Sequence, residues 1–340
     1  MDSHESLEHD RWLPGGWRHG GRATVAATLS RLPGLVDAVE VHRLKSELAA
    51  AGDGRMFVLQ LANSEEERFE DSSSGLVFEH TKNLESVGKY LALMLGKPVL
   101  PVGLVAGNYY AGPDANRVLQ AYEAALLALE SVRRSRTKSY TSHEGANLHF
   151  EEALVRRSSS AEGFFASSAH LLGLETTNLA ASSSDVEFLR GVLNPIDVRI
   201  GPWLTSKELL SLCERLNPKK EPGKIVLATR MGKELTALRR FIRALREAGA
   251  PVVWMCDPGW GSTPAEQAGT GARIRDIIAE AERTARLHDD EGSRLSGLCL
   301  EIHREPFIGR SGRSPRNSRL SFLQALRVCS DFARAYGGLE

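Results

Sequence analysis

The chain has 340 residues, of which 42% are apolar, and its 43 basic residues balance 43 acidic ones. This length and apolar content suffice for one large hydrophobic core. The neutral net charge gives no support for a nucleic-acid-binding protein, and no apolar run approaches the length of a membrane span, so we expect neither nucleic acid nor a membrane as a partner.

The cysteines and the N-terminus suggest where the protein works. The four cysteines are far apart, and Cys256 and Cys299 lie in apolar runs, which is typical of buried thiols in a reducing compartment. Residues 1–10 have no charged start followed by an apolar run, so no signal peptide is predicted. We therefore expect a soluble, cytoplasmic enzyme.

In chain order, a polar segment comes first. Residues 1–22 are rich in Trp, Gly and His and are predicted to form an N-terminal arm before a single domain over residues 23–340. Helical periodicity over residues 23–50 is broken at Pro33. Strands are then predicted at 56–62, 99–107, 169–175, 196–200, 224–229, 252–256 and 298–303, alternating with helices at 82–96, 114–134, 144–158, 205–215, 233–249, 266–288 and 318–336.

This alternation predicts an α/β fold with a parallel sheet and right-handed crossovers. Seven strands can be counted, and a TIM (β/α)8 barrel fits them better than an open sheet does. After Glu305 only about a dozen residues precede the last helix, which is short for a parallel crossover. Either the final helix follows a vestigial eighth strand or the barrel is degenerate at that point.

Polar residues follow several of the predicted strands. In the stretch 252–263 an apolar run leads directly into Asp257, a proline and small residues, and in a TIM barrel such strand ends carry the chemistry. Arg199 and Arg230 end two other strands, which predicts recognition of a carboxylate or a single phosphate. The alternative is that both arginines form salt bridges that close the top of the barrel.

A set of short motifs supports a family resemblance. The motifs are Ser142-His143-Glu144, Phe150-Glu151-Glu152-Ala153-Leu154, Asn194-Pro195, Val198-Arg199-Ile200-Gly201-Pro202, Leu216-Asn217-Pro218, Arg230-Met231-Gly232 and Trp254-x-Cys256-Asp257-Pro258. In order and spacing they resemble the class II (plant-type) 3-deoxy-heptulosonate 7-phosphate (DAHP) synthases. The resemblance implies a TIM barrel, usually oligomeric, that condenses phosphoenolpyruvate with erythrose 4-phosphate at the start of aromatic biosynthesis.

The chain departs from this family at the metal site. The resemblance implies a divalent metal held by Cys, His, Glu and Asp, and the matching positions here are Ser64, Trp260, Glu301 and Asn317. Neutral Ser and Asn are poor ligands for a divalent cation, and an indole N–H cannot coordinate one. We therefore expect no metal and no other cofactor.

The implied phosphoenolpyruvate site is also altered. Arg199 stands where the family has a lysine, and Arg230 matches a family arginine, so the two are predicted to bind a small anionic substrate. Residues 103–114 match a family loop that carries cations, but here the loop has no Lys or Arg and contains Asn108 and Tyr109. These two residues, Asp257 and Trp260 are predicted to line the substrate pocket, with Trp260 as an apolar wall.

Glu301 and His303 are the candidate catalytic residues. They are two apart on the predicted strand 298–303 and share a face if the strand is regular. A buried Glu beside His is suited to acid–base catalysis. The alternative is that Glu301 pairs with Arg199 or Arg230.

Three hypotheses for the function follow. The first is a diverged, metal-independent enzyme that acts on a carboxylate substrate, phosphorylated or not, in aromatic or shikimate-type specialised metabolism. The second is a genuine DAHP synthase. The third is a non-catalytic homologue that regulates a partner enzyme, such as a chorismate mutase or a true synthase. A homodimer is expected from the resemblance.

Overall fold

The computed structural model describes residues 20–63, 74–104, 115–134, 138–145, 148–177, 184–259, 270–302 and 319–338. The helices are α1 (Gly20–Arg31), α2 (Ala38–Gly52), α3 (Ser74–Leu95), α4 (Ala115–Arg134), α5 (Leu148–Ala153), α6 (Ser184–Gly191), α7 (Ser206–Leu216), α8 (Leu235–Glu247), α9 (Thr270–Asp290) and α10 (Phe322–Gly337). The strands are β1 (Phe57–Asn63), β2 (Val99–Leu104), β3 (Tyr140–Glu144), β4 (Val155–Arg157), β5 (Phe164–Ala166), β6 (Leu171–Glu175), β7 (Ile196–Ile200), β8 (Ile225–Thr229), β9 (Val252–Cys256), β10 (Leu295–Ile302) and β11 (Arg319–Leu320).

Eight parallel strands close into a barrel in the order β1-β2-β3-β6-β7-β8-β9-β10. The closing pair is β1 with β10, in register from Val58 opposite Gly297 to Asn63 opposite Ile302. Helices α3, α4 and α6 to α10 follow barrel strands in the chain, and the apolar faces of α3 and α6 to α10 share one large hydrophobic cluster with the outward-facing strand residues. Helix α4 instead belongs to a second cluster with α1 and α5. The predicted TIM barrel is therefore confirmed.

The strand that the sequence did not reveal is β3. The helix predicted over 144–158 is wrong at its start, because residues 140–144 form a strand, α5 spans only six residues, and β4 and β5 form an antiparallel hairpin after it. The reason is the polar character of β3, Tyr-Thr-Ser-His-Glu, which has no apolar run. Its polar residues are buried on both faces, where Ser142 bonds to Gln60 inside the barrel and His143 bonds to Glu151 of α5.

The eighth barrel strand is β10, and it is complete. It has eight residues and pairs with β1 on one side and β9 on the other. The two-residue β11 pairs with Glu301 and Ile302 at the end of β10, and α10 begins directly after it with Ser321 as its N-cap. The final helix thus follows a vestigial strand, and the barrel is closed without that strand.

Helix α2 lies across the amino end of the barrel. Its Leu44 and Leu48 are fully buried and share a cluster with the inward-facing apolar residues of the strands. Lys45 pairs with Glu221 at 2.7 Å, and Gly223 comes so close that a Cβ there would lie 2.1 Å from the Lys45 carbonyl oxygen. Gly223 also has φ +76°, so a side chain at this position would be strained in two ways. The amino end is therefore packed shut.

The boundaries of the N-terminal part agree with the break at Pro33, since α1 ends at Arg31 and α2 begins at Ala38. The predicted arm over residues 1–22 lies almost wholly outside the described residues.

All four cysteines are buried and unpaired, as expected for Cys256 and Cys299. Within the described chain, no helix combines the length and the apolar character that crossing a membrane requires.

Leu48→Ala tests the packing of α2 against the barrel. Removing a fully buried leucine side chain leaves a cavity, so we expect the free energy of unfolding to fall by about 2–5 kcal/mol in a urea titration. Val39→Ala is the matched control, because Val39 is half exposed on the same helix and its truncation should change stability by less than about 0.5 kcal/mol. Equal losses in both variants would contradict this role of α2.

Candidate functional site

The candidate site lies at the carboxyl end of the barrel, where strands β7, β8 and β9 end side by side. Arg199 lies within β7, Arg230 directly follows β8 and Asp257 directly follows β9. The pairings of β7 with β8 and of β8 with β9 are parallel and without a break in register. Side chains that leave these strand ends therefore converge on one region, as in other barrels of this type.

Arg199 is buried between two carboxylates. Its Nη1 donates to Glu144 Oε1 at 2.9 Å, and its Nε lies 4.0 Å from Asp197 Oδ2. Burial by itself would lower the pKa of this guanidinium, but the charges of Asp197 and Glu144 raise it, so Arg199 stays protonated. Glu144 comes from β3 and Arg199 from β7, so the ion pair spans the intervening strand β6.

Arg230 is held by two further carboxylates. Its Nε donates to Asp257 Oδ2 and its Nη1 to Glu175 Oε2, both at 2.6 Å. Here too burial opposes the charge, and the neighbouring Asp257 and Glu175 outweigh it, so that the pKa of Arg230 is raised. Glu175 ends β6, two strands away on one side, and Asp257 follows β9, the neighbouring strand on the other side, so this arginine links the ends of β6 and β9.

The carboxylates are more exposed than the arginines that they pair with. The side chains of Arg199 and Arg230 are 6% and 5% exposed, whereas those of Glu144, Glu175 and Asp257 are 20%, 23% and 18% exposed. Salt bridges on both arginines, the alternative stated from the sequence, are therefore present. The accessible surface formed by these five residues is acidic, with the guanidinium groups beneath it.

A layer of buried polar side chains lies inside the barrel. Gln60 Nε2 donates to Ser142 Oγ and to Asp197 Oδ2, each at 3.1 Å. Burial raises the pKa of Asp197, with Arg199 and Gln60 acting in the opposite direction. Among the described residues, Gln60 Oε1, Asp197 Oδ1 and Arg199 Nε are buried atoms without a hydrogen-bond partner. We call Gln60, Ser142, Asp197 and Arg199 the inner polar layer.

Glu280 on α9 fixes the two loops that carry Arg230 and Asp257. Its carboxylate accepts from the backbone N–H of Gly232 at 2.7 Å and of Gly259 at 3.0 Å. Both glycines have positive φ, +56° and +98°, a backbone conformation that favours glycine. Burial raises the pKa of Glu280. One buried carboxylate therefore ties both loops to the helix behind them.

The backbone of Arg199 is fixed by its neighbours in a similar way. Thr176 Oγ1 donates to the Arg199 carbonyl oxygen at 2.6 Å, and Trp203 Nε1 donates to Thr176 Oγ1 at 2.9 Å. The Trp203 ring lies directly against Gly201, where a Cβ would come within 2.1 Å of it. A Cβ there would displace the ring, which accounts for the glycine at this position.

Of the other residues predicted for the site, the structure describes Glu301. Glu301 lies on β10, partly buried, with Ala62 and Arg319 as its partners in register. Outside the described residues lie His303, Asn108, Tyr109 and Trp260, together with the degenerate metal positions Ser64 and Asn317.

Sequence reasoning did not assign roles to several residues of the site. Glu144 was expected at the start of a helix, and Glu175 at the end of a predicted strand, yet Glu144 pairs with Arg199 and Glu175 with Arg230. Asp197 and Gln60 lie within strands, and Glu280 lies within a helix. The sequence contained one signal for Asp197, the alternation of side chains along a strand. Asp197 is two residues before Arg199 and therefore shares its face.

The donor set does not fit a catalytic divalent metal. The residues that match the family ligands offer one carboxylate, Glu301, beside a serine, an asparagine and an indole that cannot coordinate. Within the part of the chain that the structure describes, no group of three or more His, Cys, Asp or Glu side chains could hold a metal ion.

Comparison with known proteins places this site in context. The model of the "Class-II DAHP synthetase family" matches residues 18–120 and 115–307. A probable phospho-2-dehydro-3-deoxyheptonate aldolase of Catharanthus roseus (chloroplastic) is 37% identical over 192 residues, which cover 55% of this chain. A probable phospho-2-dehydro-3-deoxyheptonate aldolase of Pseudomonas fluorescens is 27% identical over 342 residues, which cover 87% of this chain. A phospho-2-dehydro-3-deoxyheptonate aldolase of Neurospora crassa is 33% identical over 214 residues, 57% of this chain. The matches span 39% of the Catharanthus protein, 44% of the Neurospora protein and 84% of the Pseudomonas protein.

Glu280→Gln tests the loop anchor. An amide offers one acceptor oxygen in place of two, so one buried backbone N–H loses its partner, and we expect a loss of about 1–3 kcal/mol in the free energy of unfolding. The matched control is Glu282→Gln on the same helix, whose partner Arg286 lies 3.7 Å away and is mostly exposed. The control should change stability by less than about 0.5 kcal/mol. Indistinguishable unfolding curves for the two variants would rule out the anchoring role.

Proposed function

The chain belongs to the class-II DAHP synthetase family, and from that premise we propose that it is a DAHP synthase-like enzyme that acts on a carboxylate substrate without a catalytic metal ion. The observation that supports this proposal is the pair of buried arginines at the carboxyl end of the barrel, combined with metal-ligand positions that have changed to Ser, Trp and Asn. The substrate, phosphorylated or not, is assigned to aromatic or shikimate-type specialised metabolism.

Arg199 and Arg230 would hold the substrate carboxylate. A guanidinium has five N–H donors in a planar fork, which matches the geometry of a carboxylate. Arg199 donates one bond to Glu144, and its Nε has no hydrogen-bond partner among the described residues. Asp257 and Glu175 keep Arg230 oriented, and Glu280 keeps the loops beside it in place.

Proton transfer is assigned to Glu301 together with His303. Glu301 is on the last barrel strand, whose carboxyl end faces the same region as Arg199 and Arg230. A partly buried carboxylate beside an imidazole can hold and return a proton without a metal. Trp260, Tyr109 and Asn108 complete the pocket in this proposal.

Two alternatives have support from particular observations. The names of the relatives favour a genuine DAHP synthase that condenses phosphoenolpyruvate with erythrose 4-phosphate. The salt bridges on both arginines favour a non-catalytic homologue that regulates a partner enzyme, because they give the arginines a structural role. The donor set at the metal positions speaks against the first alternative.

Metal analysis with an assay of phosphoenolpyruvate consumption separates these functions. We expect less than stoichiometric metal in the purified protein and no loss of phosphoenolpyruvate in the presence of erythrose 4-phosphate, with or without added divalent metal. Stoichiometric metal together with turnover that a chelator abolishes would establish the genuine synthase instead.

Arg230→Met tests substrate binding with pyruvate as the probe. Loss of a charged hydrogen-bond donor is expected to weaken pyruvate binding by about tenfold or more in isothermal titration calorimetry. Arg239→Met is the control, because Arg239 pairs with Glu291 on the outer helices and should leave the affinity unchanged. Failure of the wild-type protein to bind pyruvate would instead favour the regulatory homologue.

A further inference from the structure

Asp197 lies two residues before Arg199 on β7, but the proposed function gives it no role. We propose that Asp197 is a specificity-determining residue that selects singly charged carboxylate substrates against dianions such as phosphate esters. This inference rests on the proposed function, because it concerns the anion that Arg199 and Arg230 hold.

The position of Asp197 makes it part of the field at Arg199. It is 1% exposed, lies two residues before Arg199 on β7 and points into the barrel, where it accepts a bond from Gln60. Its Oδ2 is 4.0 Å from Arg199 Nε, which is too long for a hydrogen bond but close enough for strong electrostatic attraction in a buried setting. Asp197 therefore offsets the charge of Arg199 from the barrel interior, while Glu144 offsets it from the solvent side.

The described charged groups around Arg199 and Arg230 favour a monoanion over a dianion. Among the described residues, Arg199 and Arg230 form ion pairs with four carboxylates, those of Glu144, Asp197, Glu175 and Asp257. A phosphate dianion is usually held by a surplus of cationic groups and backbone donors. Among these described groups four carboxylates face two guanidinium groups, so a ligand that adds one negative charge beside Arg199 is opposed less by Asp197 than one that adds two.

Asp197→Asn separates this role from a purely structural one. The amide has the same size and keeps one acceptor oxygen, but it removes the negative charge beneath Arg199. The affinities of full-length wild-type and variant protein for pyruvate and for sulfate are measured by calorimetry at constant ionic strength. Sulfate is the dianionic probe because its charge does not change near neutral pH.

We expect the wild-type protein to bind pyruvate more tightly than sulfate. In Asp197→Asn the ratio of sulfate affinity to pyruvate affinity should rise by about tenfold, because removal of the nearby negative charge favours the dianion more than the monoanion. The control is Glu151→Gln, which alters a fully buried carboxylate bonded to His143 and Ser168 behind β3 and should leave the ratio unchanged.

A second variant covers the case in which Asp197→Asn does not fold. Gln60→Glu adds a negative charge to the same layer and should shift the ratio in the opposite direction, towards pyruvate. An unchanged ratio in the folded variants, or an equal loss of both affinities, would overturn the role of Asp197 while leaving the proposed function intact. If the wild-type protein binds neither anion, the proposed function itself fails, and this inference fails with it.

Discussion

Two guanidinium groups buried at the carboxyl end of the barrel impose the main constraint on this structure. An unpaired buried charge is very costly, so Arg199 and Arg230 must each be surrounded by carboxylates. Those carboxylates come from strands on both sides, β3, β6 and the end of β9, as well as from β7 itself. The arrangement of this end of the barrel therefore depends on the arginines, and their charge in turn depends on the acids around them.

The two ends of the barrel differ in what they bury. At the amino end, α2 brings leucines against the apolar interior, and Gly223 allows close contact with the Lys45 carbonyl. At the carboxyl end, buried charges are oriented by a second set of residues that do not belong to the strands. Glu280 ties Gly232 to Gly259, and Thr176 with Trp203 fixes the backbone at Arg199. This support leaves the arginines little freedom to move, which is the condition for binding an anion in a defined orientation.

The family assignment and the residues at the positions that match the metal ligands lead to different expectations about a bound metal ion. The family model covers most of the chain, and its short motifs place Arg199 and Arg230 on neighbouring strands. The positions that match the metal ligands, however, offer a single carboxylate with three side chains that bind divalent cations poorly or not at all. Family membership therefore establishes the fold, whereas the chemistry of this chain has to be argued from its own site, because function depends on the site rather than on the fold.

The sequence by itself determined the barrel, the family and the adjacency of Arg199 and Arg230, because these follow from local patterns of apolar runs, loops and motifs. Tertiary structure decided which strand completes the barrel, since β3 is polar on both faces and its burial depends on partners elsewhere, Gln60 on β1 and Glu151 on α5. It also decided the partners of the arginines. Glu144 and Glu175 are 55 residues from Arg199 and Arg230 respectively, and they meet only because closure of the tilted strands brings inward-facing side chains of non-adjacent strands together.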